Sequence, residues 1–130
     1  MGFERVRAAV VGLITVAALA GAAALPSVAH AGDVASDFTL RDINGQSVTL
    51  SELKGRVVIM SFWATWCGPC KEEMPHLQKM YAELESEGLT VLSISTDDAR
   101  SASRVKPFIK KNGYSFPVLL DRDSTVISAY

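Results

Sequence analysis

Few of the residues that build metal centres or cross-linked scaffolds occur in this chain. Its 130 residues include two cysteines and two histidines. A closed zinc site wants four ligands. Beyond residue 31 the only candidates are Cys67, Cys70 and His76, so no metal site is expected. His76 follows Pro75 on a helical pattern and is read as an exposed residue without a catalytic partner. Two cysteines three positions apart close almost no loop, so they add little as a structural cross-link. Methionine and histidine form no cluster of the kind a soft-metal carrier uses. A marked excess of charge of one sign is also missing. The formal net charge is −1, both signs are interspersed, and no nucleic-acid surface is expected. Internal repeats and low-complexity linkers are absent.

One long apolar run is present, at the start. Arg5 and Arg7 precede an uncharged stretch over residues 8–25. Pro26 then breaks it, and Ala29-His30-Ala31 places small residues where a signal peptidase reads. This is the shape of a secretory leader. Residues 1–31 are therefore expected to be a signal peptide, with cleavage after Ala31. The alternative is an uncleaved membrane anchor through residues 8–25, since a span needs roughly 20 residues. No cysteine follows the run, which argues against a lipid anchor. Residues 32–130 are expected to form one domain in an extracytoplasmic, oxidising compartment, the periplasm or its equivalent.

Within that domain the pattern changes in regular steps. Phe38-Thr39-Leu40 and Ser47-Val48-Thr49-Leu50 alternate apolar with polar around Asn44-Gly45, a hairpin signal. Residues 51–55 read as a helical turn stopped by Gly55. Residues 56–63 are nearly all apolar and predict a strand covered on both faces. From Cys70 to Glu87 the period becomes helical, with Met74, Leu77, Met80, Tyr81 and Leu84 on one face and Gly88 as the cap. Residues 89–96 predict a second strand. Asp97 and Asp98, with Ser101 or Ser103, are candidate caps for a helix carrying Val105, Phe108 and Ile109 and closed by Gly113. Residues 116–120 predict a third strand, and Asp121-Arg122-Asp123-Ser124 leads towards another helix. Strands alternating with helices predict an α/β fold whose parallel sheet lies between helical layers.

Cys67-Gly68-Pro69-Cys70 carries the chemistry. The pair lies where a predicted strand hands over to a helix N-terminus, the setting that a redox dithiol requires. A free thiol has a pKa near 8.5, so about 3% is ionised at pH 7; a pKa of about 7 raises that to about half. Unpaired N–H groups at a helix start favour the anion. Cys67 is thus the expected exposed nucleophile, and Cys70 the resolving thiol that displaces a bound partner and closes the ring disulfide. Pro69 suits the first helical turn, and Gly68 lets another backbone approach. Trp66 offers a flat wall to a docking peptide, whereas Trp63 is read as core. Pro75 removes a helical hydrogen bond and predicts a kink. Glu73, one turn after Cys70, is expected to be a partly buried carboxyl that relays its proton. No cofactor is expected.

Taken together, Phe38-Thr39-Leu40, Asn44-Gly45, residues 50–55, the segment from Ser61 to Cys70 and Phe116-Pro117-Val118-Leu119-Leu120-Asp121 resemble the TlpA/ResA-like (redoxin) group. That group comprises exported thioredoxin-fold thiol-disulfide oxidoreductases, and the resemblance runs from Val34 to the end. It implies a thioredoxin-like fold: a central mixed sheet, an N-terminal β-hairpin and flanking helices. It also implies reduction of disulfides in exported proteins, apocytochrome c among them, with re-reduction by a membrane electron carrier. Glu73 matches the group's glutamate, and Ser61 stands where cytoplasmic thioredoxins carry an aspartate. The group's fold continues into a cis-proline loop, a strand pair and a last helix. These are missing, so the expected domain over residues 32–130 is C-terminally truncated, with one edge of strand 57–62 unpaired. Two other chemistries use the same cysteines. One is oxidation or isomerisation of protein disulfides. The other is a peroxiredoxin-type peroxidase, for which Thr65 is correctly spaced, but no proline precedes it nearby and Cys70 would be idle.

Overall fold

The computed structural model describes Gly32 and residues 34–130. The expected leader, residues 1–31, lies outside the described residues. Five strands form one mixed sheet in the order β2-β1-β5-β4-β3. β1 (Thr39–Asp42) and β2 (Ser47–Thr49) make the predicted hairpin. Its turn depends on Asp42 as much as on Asn44-Gly45. The Asp42 carboxylate accepts the N–H groups of Asn44 and Gln46, each at 2.8 Å. Of the Asn-Gly pair only Gly45 takes a positive φ, 87°. This is a type I turn with glycine in the left-handed position that follows it.

β3 (Val57–Trp63), β4 (Leu89–Ser95) and β5 (Val118–Leu120) are mutually parallel. α1 (Gly68–Leu84) links the first two, and α2 (Val105–Asn112) the last two. Gly88 at φ 101° and Gly113 at φ 68° end the helical segments as the pattern predicts. Two successive crossovers in one direction place both helices on the same face. That face holds Trp63, Met74, Leu77, Leu89, Val91, Val105, Ile109, Phe116 and Val118 in one buried cluster. The opposite face buries Leu92, Ile94, Leu119 and Val126, covered by Phe38, Leu40, Leu50 and Leu53. Among the described residues no α-helix covers that second face, so the expected second helical layer is replaced by the hairpin, a short 3-10 turn and the last segment.

Two further expectations are corrected. β3 is not buried on both sides. Its residues before Trp63 are exposed or half-buried, whereas the unpaired edge expected of this strand is present: among the described residues β3 pairs only with β4. β4 is the fully buried strand, although it contains Thr90, Ser93 and Ser95. The last segment is a series of turns and no helix. Ser124 sits at φ 54°, and buried Asp121 captures the N–H groups of Thr125, Val126 and Ile127 at 2.9 to 3.2 Å. A carboxylate that holds three successive donors fixes the chain in a tight bend.

Candidate active site

The cysteines lie at the C-terminal end of β3, past the point where strand pairing stops. Trp63 ends the strand, with its side chain 2% exposed and its ring 5.3 Å from that of Phe108. The chain then turns through Ala64, Thr65 and Trp66, and the Cys67 N–H donates to the Ala64 carbonyl at 3.0 Å. Cys67 is the N-cap of α1, and Pro69 lies in its first turn. The first N–H groups of a helix have no partner inside it. Those of Gly68 and Cys70 therefore remain available to an anion at Cys67, and Pro69 has none to offer.

Cys67 and Cys70 are joined as a disulfide, with their Cα atoms 5.4 Å apart. Both are half-buried, so in the disulfide form Cys67 is less open than the exposed position expected of it. Cys70 packs against the helical-face cluster, which agrees with an inner, resolving position. Trp66 is 71% exposed. It lines a shallow recess of about 390 Å³ with Thr96, Asp98, Arg100, Ser101 and Arg104. Gly68 and Pro69 are exposed beside it, so all three expected docking residues are open to a partner. His76 is exposed as well.

Glu73 departs from expectation in its environment. Its carboxyl is exposed, not partly buried. The helix does bring it to β3, where the Ser61 hydroxyl donates to Oε2 at 3.5 Å, a long contact. Position 61 and position 73 thus meet across the sheet-helix boundary.

Asp97 is a neighbour of this turn that the pattern did not reveal. The sequence suggests a helix cap, but neither acid caps one: Asp98 accepts the N–H groups of Arg100 and Ser101 at 3.0 and 3.2 Å in the turn before the next helical segment, whose N-caps are Ser101 and Arg104 without side-chain bonds. Asp97 is fully buried. Its Oδ1 accepts the Thr65 hydroxyl at 2.6 Å, and its Oδ2 accepts the Thr65 N–H at 2.8 Å and the Ser95 hydroxyl at 2.9 Å. Burial pushes this carboxyl up, but the hydrogen bonds from Thr65 and Ser95 outweigh it and hold the acid below the usual aspartate range. The sign follows for stability. A carboxyl with a lowered pKa in the folded state stabilises above the unfolded value, near 3.9, and that stabilisation is lost as pH falls through the folded value. The stability gap between the wild type and Asp97→Asn is therefore expected to be constant above about pH 5 and to shrink below about pH 4. Urea unfolding at stepped pH checks this; a gap that widens in acid would contradict it. Thr65, the residue suited to peroxide chemistry by spacing, has its hydroxyl hydrogen committed to Asp97.

The model of the AhpC/TSA family matches residues 31–130. The chain belongs to the AhpC/TSA family. The thiol-disulfide oxidoreductase ResA of Halalkalibacterium halodurans is 38% identical to this chain over 104 residues, covering 80% of this chain and 58% of that protein. ResA of Bacillus subtilis is 40% identical over 99 residues, covering 76% and 54%. This AhpC/TSA chain thus spans a little over half the length of those relatives. Its fold is thioredoxin-like. The thioredoxin domain of a thiol-disulfide oxidoreductase from Bacteroides vulgatus superimposes with a TM-score of 0.67 at 31% identity, covering 76% of this chain and 71% of the other. A thiol:disulfide interchange protein from a Bacteroides species gives 0.67 at 32%, covering 76% and 66%. The resemblance read from the cysteine segment and the hairpin is borne out.

Proposed function

We propose that this protein, as a whole, is a thiol-disulfide oxidoreductase that reduces disulfides of exported proteins through a Cys67/Cys70 cycle. The observation that carries the reading is the Cys67–Cys70 disulfide at the first turn of α1. In the reduced protein, the Cys67 thiolate attacks a disulfide sulfur of the partner. One partner sulfur leaves as a thiolate and is protonated, while the other stays bonded to Cys67. Cys70 loses its proton and attacks Cys67, which releases the second partner thiol and leaves the ring disulfide. Two electrons pass to the partner, and an outside dithiol must return them.

Residues 1–31 serve as the export leader in this reading, and residues 32–130 belong to the redox domain. The compartment is the periplasm or its equivalent, reached with the leader cleaved or retained as an anchor. An oxidising compartment requires a membrane electron carrier as the reductant. Apocytochrome c, whose paired haem-attachment cysteines must be reduced, is the substrate class proposed. Trp66, Gly68 and Pro69 form the docking surface. The names of the ResA relatives support the reaction class.

A redox titration tests the direction of the cycle. A reductase has a potential far below −120 mV, the value of a strong periplasmic oxidant; a value near that figure would assign the chain to disulfide formation. Glu73 is the proposed proton acceptor for Cys70. Glu73→Gln is expected to slow the resolving step by about ten- to a hundredfold near pH 7 and to change its pH profile. An unchanged profile would return Glu73 to the solvated helix surface.

A further inference from the structure

We propose that Asp97 is the positioning residue for Cys67: its buried carboxylate clamps the turn that presents the nucleophile to the helix N-terminus. This rests on the thiol-exchange reading above and adds to it a residue that never touches the partner. β3 and β4 pair through Trp63 and Ser95. Beyond that point two contacts continue the register. The Thr96 N–H donates to the Trp63 carbonyl at 2.8 Å, and Asp97 takes both the N–H and the hydroxyl of Thr65. Thr65 lies inside the four-residue turn closed by the Cys67 N–H on the Ala64 carbonyl. The two donors of one residue thus hold the turn rigidly to the end of the fully buried strand.

The physics favours a strong clamp. Hydrogen bonds to a carboxylate are roughly twice as strong as neutral ones, and this carboxylate is shielded from water. The Ser95 hydroxyl also donates to Oδ2, from the end of β4 and outside the turn. The neighbouring acid, Asp98, is engaged elsewhere, in an ion pair with Arg100 at 2.8 Å. The benefit of a helix N-terminus to a thiolate falls off within the first turn. A turn free to shift moves Cys67 away from the Gly68 and Cys70 N–H groups, and the thiolate loses stabilisation.

Position and charge make opposite predictions, which permits a decisive experiment. Removing a nearby negative charge alone makes a thiolate easier to form. Releasing the clamp makes it harder. Iodoacetamide alkylation of Cys67 is measured on the reduced full chain from pH 5 to 9, with the modified site resolved by mass spectrometry. Thr65→Val keeps the backbone N–H bond and all charges but deletes the hydroxyl. It is expected to move the Cys67 profile to higher pH and to lower the rate at pH 7 by about two- to fivefold. Asp97→Asn is expected to move it the same way, and Thr65→Ser to restore the wild-type profile. Ser95→Ala, which removes a donor outside the turn, is expected to lower thermal stability and leave the profile unchanged. A profile unmoved by Thr65→Val, or moved to lower pH by Asp97→Asn, would overturn the proposal, as would a Ser95→Ala shift equal to that of Thr65→Val. Thr65→Val decides the matter if Asp97→Asn fails to fold. A slow wild-type Cys67 would instead defeat the thiol-exchange reading itself.

Discussion

Cys67→Ser is expected to abolish turnover of a model disulfide, by about three orders of magnitude or more, because the attacking sulfur is gone and a serine hydroxyl is almost never ionised at neutral pH. Cys70→Ser has a different expected result. Attack still occurs, the mixed disulfide forms on Cys67, and nothing resolves it. The trapped species should appear on a non-reducing gel as one covalent adduct per chain, and reductant should dissolve it. The asymmetry follows from the N-cap position of Cys67 and from the contact of Cys70 with the helical-face cluster. Trapping by Cys67→Ser, with none by Cys70→Ser, would exchange the two roles.

Met74→Ala is expected to be strongly destabilising. Met74 is 1% exposed and sits between Glu73 and Pro75 on α1. It packs in one cluster with Trp63, Leu77 and Val91, and Cys70 lies against the same cluster. Truncating a buried methionine to alanine costs about 2–5 kcal/mol. A domain has only about 5–15 kcal/mol in total, so the loss should appear as a large fall in the urea midpoint of the oxidised protein. Because the helix start rests on this cluster, the exchange rate should also drop in molecules that remain folded. A loss under about 0.5 kcal/mol would mean that α1 is held to the sheet by something other than this contact.

The cysteine segment was legible because its signals agree. A β-branched run, a turn, a proline in the first helical turn and a helical apolar stripe all point to one strand-to-helix junction. The two capping glycines, Gly88 and Gly113, were legible for the same reason: only a glycine meets the backbone angle at low cost. The depth of burial of the strands was not. Val57, Val58 and Ile59 are more apolar than Thr90 and Ser93, yet β3 is exposed or half-buried before Trp63 and β4 is buried throughout. Composition reports how well a strand tolerates burial; position depends on which crossovers the rest of the chain makes. Ser93 shows the gap most clearly, since its hydroxyl is buried and has no hydrogen-bond partner among the described residues. Asp97 was read as a cap because aspartate after a strand usually serves the next helix. Its partner, Thr65, lies 32 positions earlier, and no local pattern encodes a contact of that range. The exposure of Glu73 was missed for a related reason. Helical spacing gives the face of a residue, while its burial depends on what the neighbouring strand places opposite.

The central claim is that a helix opening holds a sulfur anion within reach of a second sulfur. The most direct measurement is the pH dependence of alkylation of the reduced chain, read separately at each cysteine. A Cys67 rate that is half-maximal near pH 7, with Cys70 reacting more slowly, is the predicted result. If both thiols titrate at about 8.5, like free cysteine, the helix contributes nothing to the nucleophile and the account is contradicted.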